Sequence, residues 1–306
     1  MNTRTYSLGT LIRSCVIAGW LVLPVCATPP PQANLQDRVA TLESQVSTLT
    51  AAVQAQAAQI ASLQSLLTHF SRVGNEIYIT GANVNIRDGT GHTWGQGFPD
   101  DPNRLSGLGN LVIGYNESDT GQSHEGSHNV VIGPYHSYPN VGGLVVGYRN
   151  EIGGGYSSVS GGEYNLAFTF CGSVSGGANN TASGGGHSQA SWVGGGANNT
   201  ASQNYSSVSG GQNNTADGFY ASVSGGENNN ARSVWASVSG GRGNRAAGEV
   251  TSVSGGENNT ANGRGTSVSG GENNTANNRW SSVSGGYQRS TAGDFDWAAG
   301  GLFQDQ

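Results

Sequence analysis

Apolar positions along this chain follow two different periods, and the change between them divides it. From Leu35 they fall in the three-four alternation of heptads. Val39, Val46, Val53 and Ile60 take position a, and Leu35, Leu42, Leu49 and Leu63 take position d, where Gln56 completes the series. Leu67 and Phe70 extend the same pattern. A helix with one such apolar stripe buries it only against a partner helix, so the spacing predicts a coiled-coil stalk over 35–72. β-Branched residues at a with Leu at d favour two-stranded parallel coils. Gln56, a polar residue in a core layer, is read as fixing register.

The helical period stops at Val73. Residues 76–86 (EIYITGANVNI) alternate as a strand pair does, and a Gly- and Pro-containing stretch follows. Residues 73–110 therefore form a connector, with the added task of covering the first edge of whatever fold comes next. That fold is announced by the segment SVSGGxNNTA. Its valines, among them Val208, Val223, Val238, Val253 and Val268, recur every fifteen residues, apart from one nineteen-residue step between Val174 and Val193. Val112, Val131 and Val145 upstream and Ala298 downstream fill the same role, which makes thirteen copies.

One apolar residue per short repeat buries nothing alone, so the copies must stack. The prediction is a mainly β protein: a parallel β-solenoid of thirteen rungs over 111–294, with a terminal rung and cap at 295–306. Six residues after each Val comes an Asn column that includes Asn214, Asn229, Asn259 and Asn274. Asn suits a turn where its side chain satisfies backbone groups and meets the Asn above and below. Two residues later an Ala column, including Ala216, Ala261 and Ala276, marks an inward site too narrow for a larger side chain. The paired glycines, such as Gly255 and Gly256, permit the reversal between them.

These repeats, closest at NLVIGYN and NVVIGPY, resemble the head repeats of trimeric autotransporter adhesins over residues 111 to about 301. The resemblance implies a trimer of left-handed parallel β-rolls, with Gly in SVSGG where that family has an apolar Ile. GLGNLVIGYNE, GSHNVVIG and the terminal WAAGGLFQDQ also resemble a group of uncharacterised secreted bacterial SVSGG-repeat proteins. A trimer, implied by the head, is the favoured assembly, and a dimer, which the stalk chemistry favours, is the alternative.

Composition excludes several classes. Gly numbers 51 of 306 residues without a three-residue period, and only 10% of residues are charged. The net charge is −6 and the thirteen basic side chains, all Arg, are scattered, so no nucleic-acid partner is expected. Arg4 and Arg13 before an apolar stretch from Cys15 to Leu23, with Val25-Cys26-Ala27 after it, read as a signal peptide over 1–27. A Pro-rich spacer fills 28–34. Lipidation of Cys26 is the competing reading. No transmembrane anchor is expected in the mature chain, which is placed outside the cell or on its surface.

Candidate chemistry is sparse. Three residues before the Val runs a partial aromatic column, Tyr156, Tyr205, Tyr220, Trp235 and Trp280, continued by Phe295. Strand alternation would set it opposite the Val, facing either a glycan or cell-surface ligand or another subunit. Glu257 and Glu272 occupy adjacent rungs, about 5 Å apart, the separation used by retaining glycosidases, with Arg242 as a counter-charge to Glu227 and Glu257. A repeated turn position gives no pocket, so no enzyme activity, cofactor or metal is expected. His92, His124, His128, His136 and His187 fall in segments of mixed composition, and Cys171 in the aromatic column is read as a plain thiol. The expectation is an adhesin-like fibrous homo-oligomer serving multivalent adhesion or matrix and filament assembly. A β-helical polysaccharide-degrading enzyme is the alternative, and the Thr column at Thr181, Thr200, Thr215, Thr260 and Thr275 raises ice binding as another.

Overall fold

A computed structural model describes residues 35–93, 105–184 and 189–300. The expected signal peptide and spacer, the centre of the nineteen-residue step at 185–188, and residues 301–306 lie outside them. The chain forms two compact units that divide between Asn83 and Val84.

The first unit holds helix α1 (Leu35–Leu66), whose 32 residues span about 48 Å at 1.5 Å each. Every residue of α1 is exposed within the single chain, the heptad positions Leu35 to Leu63 included. The helix stops short of the expected residue 72. The Thr68 hydroxyl donates to the carbonyls of Gln64 and Ser65 and so closes its last turn. Beyond it, β1 (Phe70–Val73) pairs antiparallel with β2 (Glu76–Ile79), Phe70 opposite Ile79. Leu67 and Phe70 thus leave the helical stripe. The reason is local: Gly74 takes φ 58°, which sets a tight turn, and alternating Phe-Ser-Arg-Val suits a strand better than a helix end.

The second unit is the parallel solenoid. Thirteen strands stack in one sheet, starting with β3 (Leu111–Ile113), β4 (Val130–Ile132) and β5 (Leu144–Val146) and ending with Trp297–Ala298. Val112, Val131, Val145 and each later repeat valine pair in register, and Ala298 closes the series opposite Val283. Twelve steps of about 4.8 Å make a stack of roughly 58 Å. A second sheet of nine strands carries Ile152 and then the Ala column from Ala167 to Ala276. Val and Ala of successive rungs are fully buried and form one continuous thin core.

A third inward column lies two residues before each Val and was not read from the sequence. It holds Ser206, Ala221, Ala236, Thr251, Thr266 and Ser281, all buried. The hydroxyls of Ser206, Thr251, Thr266 and Ser281 donate to the carbonyl three residues earlier, at 2.7–2.9 Å, and tie down the turn they follow. Polar atoms facing a core cost little when bonded in this way.

The Asn column connects the rungs. The Asn229 Oδ1 accepts from the Asn244 backbone N–H at 2.9 Å, while its Nδ2 donates to the carbonyls of Gly225 and Gly241. Neighbouring rungs repeat the set, so each side chain bonds the backbone of its own rung and the next one. The contact between successive Asn residues expected from sequence is made mainly through the backbone N–H.

The second glycine of each pair sits where this ladder is tightest. Gly162 has φ 76°, and a Cβ there would lie 2.0 Å from the Gly177 carbonyl oxygen, whereas a Cβ on Gly161 would meet nothing within 4 Å. Gly162→Ala should therefore cost at least about 3 kcal/mol and lower the melting temperature, while Gly161→Ala stays within about 1 kcal/mol of the parent. Thermal unfolding followed by circular dichroism checks this. Equal loss from both would refute the close-approach account.

Candidate functional site

The aromatic column occupies a corner of the solenoid. Tyr156, Tyr205, Tyr220, Trp235 and Trp280 have φ between 54° and 58°, the left-handed region, so they are turn residues and not members of an alternating strand face. This corrects the placement opposite the Val that strand alternation predicts. A non-glycine residue pays steric strain there. The backbone opposes it: Tyr220 N–H donates to Asn204 O at 3.1 Å, Trp235 to Phe219 at 2.9 Å and Trp280 to Arg264 at 2.8 Å. A small buried residue follows each one, so the corner is held from both sides.

The corner turns the rings outward, and Tyr205, Tyr220, Trp235 and Trp280 are exposed to between 43% and 55%. Tyr205 and Tyr220 stack at 5.1 Å with 10° between planes, and Tyr220 and Trp235 at 6.0 Å with 21°. The rings cover each other's faces and present their edges, a continuous apolar ridge three rungs long. Trp280 stands apart from that stack, its six-membered ring close over Gly265, where a Cβ would come within 2.2 Å of it. Tyr156 packs edge to face with Phe170 at 5.4 Å. Cys171, exposed and free, keeps the same left-handed position with φ 56°.

A second aromatic group was missed in the sequence because its members sit on irregular early rungs. Tyr135, Tyr148 and Tyr164 meet edge to face at 5.8 and 5.9 Å. The Arg149 guanidinium lies 4.8 Å from the Tyr135 ring centre and bonds Asp119 at 2.8 Å. The Thr120 backbone N–H, then Arg149, hold the Asp119 carboxyl below the usual range. The visible clue was one tyrosine per rung three to five residues after Val131, Val145 and Val159.

The carboxylates of the repeat are outward. Arg242 stands 3.9 Å from Glu227 and 3.8 Å from Glu257, and all three are well exposed. Glu257 and Glu272 do lie on directly paired positions of adjacent rungs. The solvated Arg242 cluster offers them no enclosed site. A separate recess of about 520 Å3 involves Asp88, His92 and His128. There the Thr90 backbone N–H, with hydroxyls of Thr90 and Ser106 and the nearby His128, lowers the Asp88 carboxyl to about 2. The Asp88 and His128 side chains stand 3.8 Å apart, too far for a hydrogen bond. No cluster of three metal-ligating side chains occurs among the described residues, and no helix among them is long and apolar enough to cross a membrane. His187 lies outside the described residues.

His136 has a structural task that spacing could have revealed. It follows Val131 by five residues, as Asn150 follows Val145. Its buried ring heads the Asn ladder: Nδ1 accepts from the Asn150 N–H at 3.1 Å and Nε2 donates to Ile132 O at 3.0 Å. His124 lies nearby, its ring stacked on Tyr138 at 4.8 Å and its Nε2 bonded to His136 O. No known protein family and no curated protein matches the chain.

The His136 bonds require a neutral imidazole, and burial foremost, with nearby His124 adding to it, pushes its pKa down. The unfolded residue takes up a proton below about 6.5. The stability His136 contributes is thus complete above that pH and is lost as pH falls toward its depressed folded value. Burial raises the Glu151 carboxyl and works in the opposite sense, so a direct comparison of variants is needed. His136→Asn should keep the ladder and flatten the decline in melting temperature between pH 7 and 5. An unchanged decline would refute the role of His136.

Proposed function

We propose that this is an exported fibrous protein whose helices associate and whose solenoid heads make repeated weak contacts, in adhesion or in extracellular matrix assembly. The observation that carries the reading is the exposed ridge Tyr205, Tyr220 and Trp235, with Trp280 further along. These are large rings held outward in strained turns, the first three on successive rungs. A monomer has no packing reason to spend four aromatic residues in that way. Edges of stacked rings with neighbouring hydroxyl and amide groups fit the alternating apolar and hydroxyl surfaces of a glycan or of another polymer. The uncovered heptad stripe of α1 supports association of two or three chains, since an isolated water-exposed helix with that stripe gains most of its stability by pairing. The leader at 1–27 supports export.

The mechanism is multivalent. One ridge binds weakly, and two or three tethered ridges raise the effective concentration of each for the same surface by orders of magnitude.

Light scattering of the mature chain should give a dimer or trimer mass, and Val46→Asp with Val53→Asp should give a monomer with unchanged β circular dichroism. A monomeric parent would overturn the assembly. Trp235→Ala with Trp280→Ala should lower binding to a polysaccharide or cell-surface panel by at least about tenfold, at unchanged oligomer mass. Undiminished binding would overturn adhesion through the ridge.

A further inference from the structure

The outward face of the thirteen-stranded sheet changes chemistry along its length while its inward valines do not. On either side of the central valine, β3 presents Leu111 and Ile113, β4 Val130 and Ile132, and β5 Leu144 and Val146. From the next rung the same two positions are Ser158 and Ser160, then Ser173 and Ser175, and serine holds most of the later ones. The six aliphatic side chains run in two columns over three adjacent strands, in direct register. Leu111 and Ile113, on the edge strand, are 43% and 52% exposed, and the other four are half-buried. No charged residue occupies any of the six positions.

An aliphatic patch on a sheet face that elsewhere carries mostly hydroxyls has no role in the fold, because serine at both positions supports eight of the ten further rungs in the same register, Trp192 with Gly194 and Trp297 with Ala299 holding the other two. It marks a contact. We infer that this patch is an interface between copies of the chain, formed by the first three rungs of each solenoid; the inference rests on the proposed association through α1.

Size and position in sequence favour a second copy over an independent partner. Three strand spacings of about 4.8 Å by three residues of about 3.3 Å give a patch of roughly 140 Å2 in projection, well short of the roughly 800 Å2 per partner that a stable free complex buries. Such a patch works when something else already holds the two surfaces together. Helix association supplies that tether, because residues 67–110 alone separate α1 from β3 in sequence, and it converts the second contact into an intramolecular one. The serine face beyond β5 is then left free of the contact.

The test uses the mature chain with Cys171→Ser and one new thiol on the outward face, either V146C in the patch or S254C on the serine face. Thiol-reagent kinetics are read alongside light scattering, with and without V39D and V53D in the heptad stripe. In the assembled protein the V146C thiol should react at least about tenfold more slowly than the S254C thiol, and this protection should vanish in the V39D, V53D monomer. Equal rates in an assembled protein would overturn the interface and leave helix association standing. Protection that survives in the monomer would also overturn it, since a segment of the same chain would then cover the patch. A parent that is monomeric by light scattering would remove the association and the interface together.

Discussion

Everything in the solenoid depends on satisfying the backbone on the inner side of a turn, beside a buried Asn. Each rung folds back on itself around a core one Val and one Ala wide, so the turn faces water on its outer side while its inner side abuts the core, where the Asn is buried. An unmet carbonyl or N–H there would cost a few kcal/mol in every rung. The Asn column answers this with one side chain per rung, whose amide bonds two glycine carbonyls and whose oxygen takes the next Asn N–H. Asn alone among the small side chains offers both donors and an acceptor in one plane. His136 can begin the series because a neutral imidazole also presents one donor and one acceptor.

This dependence explains the rest of the composition. The ladder brings the backbone of adjacent rungs so close that a Cβ on the second glycine would collide with the next carbonyl. The core that remains is too narrow for Leu or Phe, hence Val opposite Ala with Ser, Thr or Ala between. Apolar burial per rung is small, so cohesion comes from in-register backbone bonds that each rung makes with its neighbours. Such a stack behaves nearly as a one-dimensional array, in which damage to one rung weakens its immediate contacts most.

The columns at Val, Asn and Ala were legible because a fifteen-residue period repeats the same physical demand many times. What escaped was whatever breaks or offsets that period. His136 and Asn150 stand one residue closer to their valines than the later Asn residues do, so the head of the ladder looked like a loop. The column at Ser206, Ala221 and Thr251 mixes polar and apolar types, since its site is defined by size and by a single turn bond. The aromatic residues were found, but strand alternation placed them on a face, whereas a left-handed turn sets them on a corner. Helix α1 was overextended by six residues because Leu67 and Phe70 keep the heptad spacing after the backbone has begun a hairpin.

A repeat that is uniform inside is free to vary outside, and that freedom is where function can be sought. Inward positions answer to the same neighbours in every rung, so a departure there is eliminated by packing. Outward positions meet fewer neighbours within the chain and are less constrained by them. Serine on the sheet face keeps the stack soluble and costs the fold nothing, which makes the six aliphatic residues of the first three rungs and the rings at the corner informative. Each gives up favourable hydration for no internal contact of comparable size. The two departures also fall on different parts of the rod: the patch lies on the rungs that follow the helix in sequence and the ridge on rungs well beyond them. One surface can therefore hold copies together while the other stays open to a ligand, a division of labour that a rod of stacked rungs provides without any change to its core.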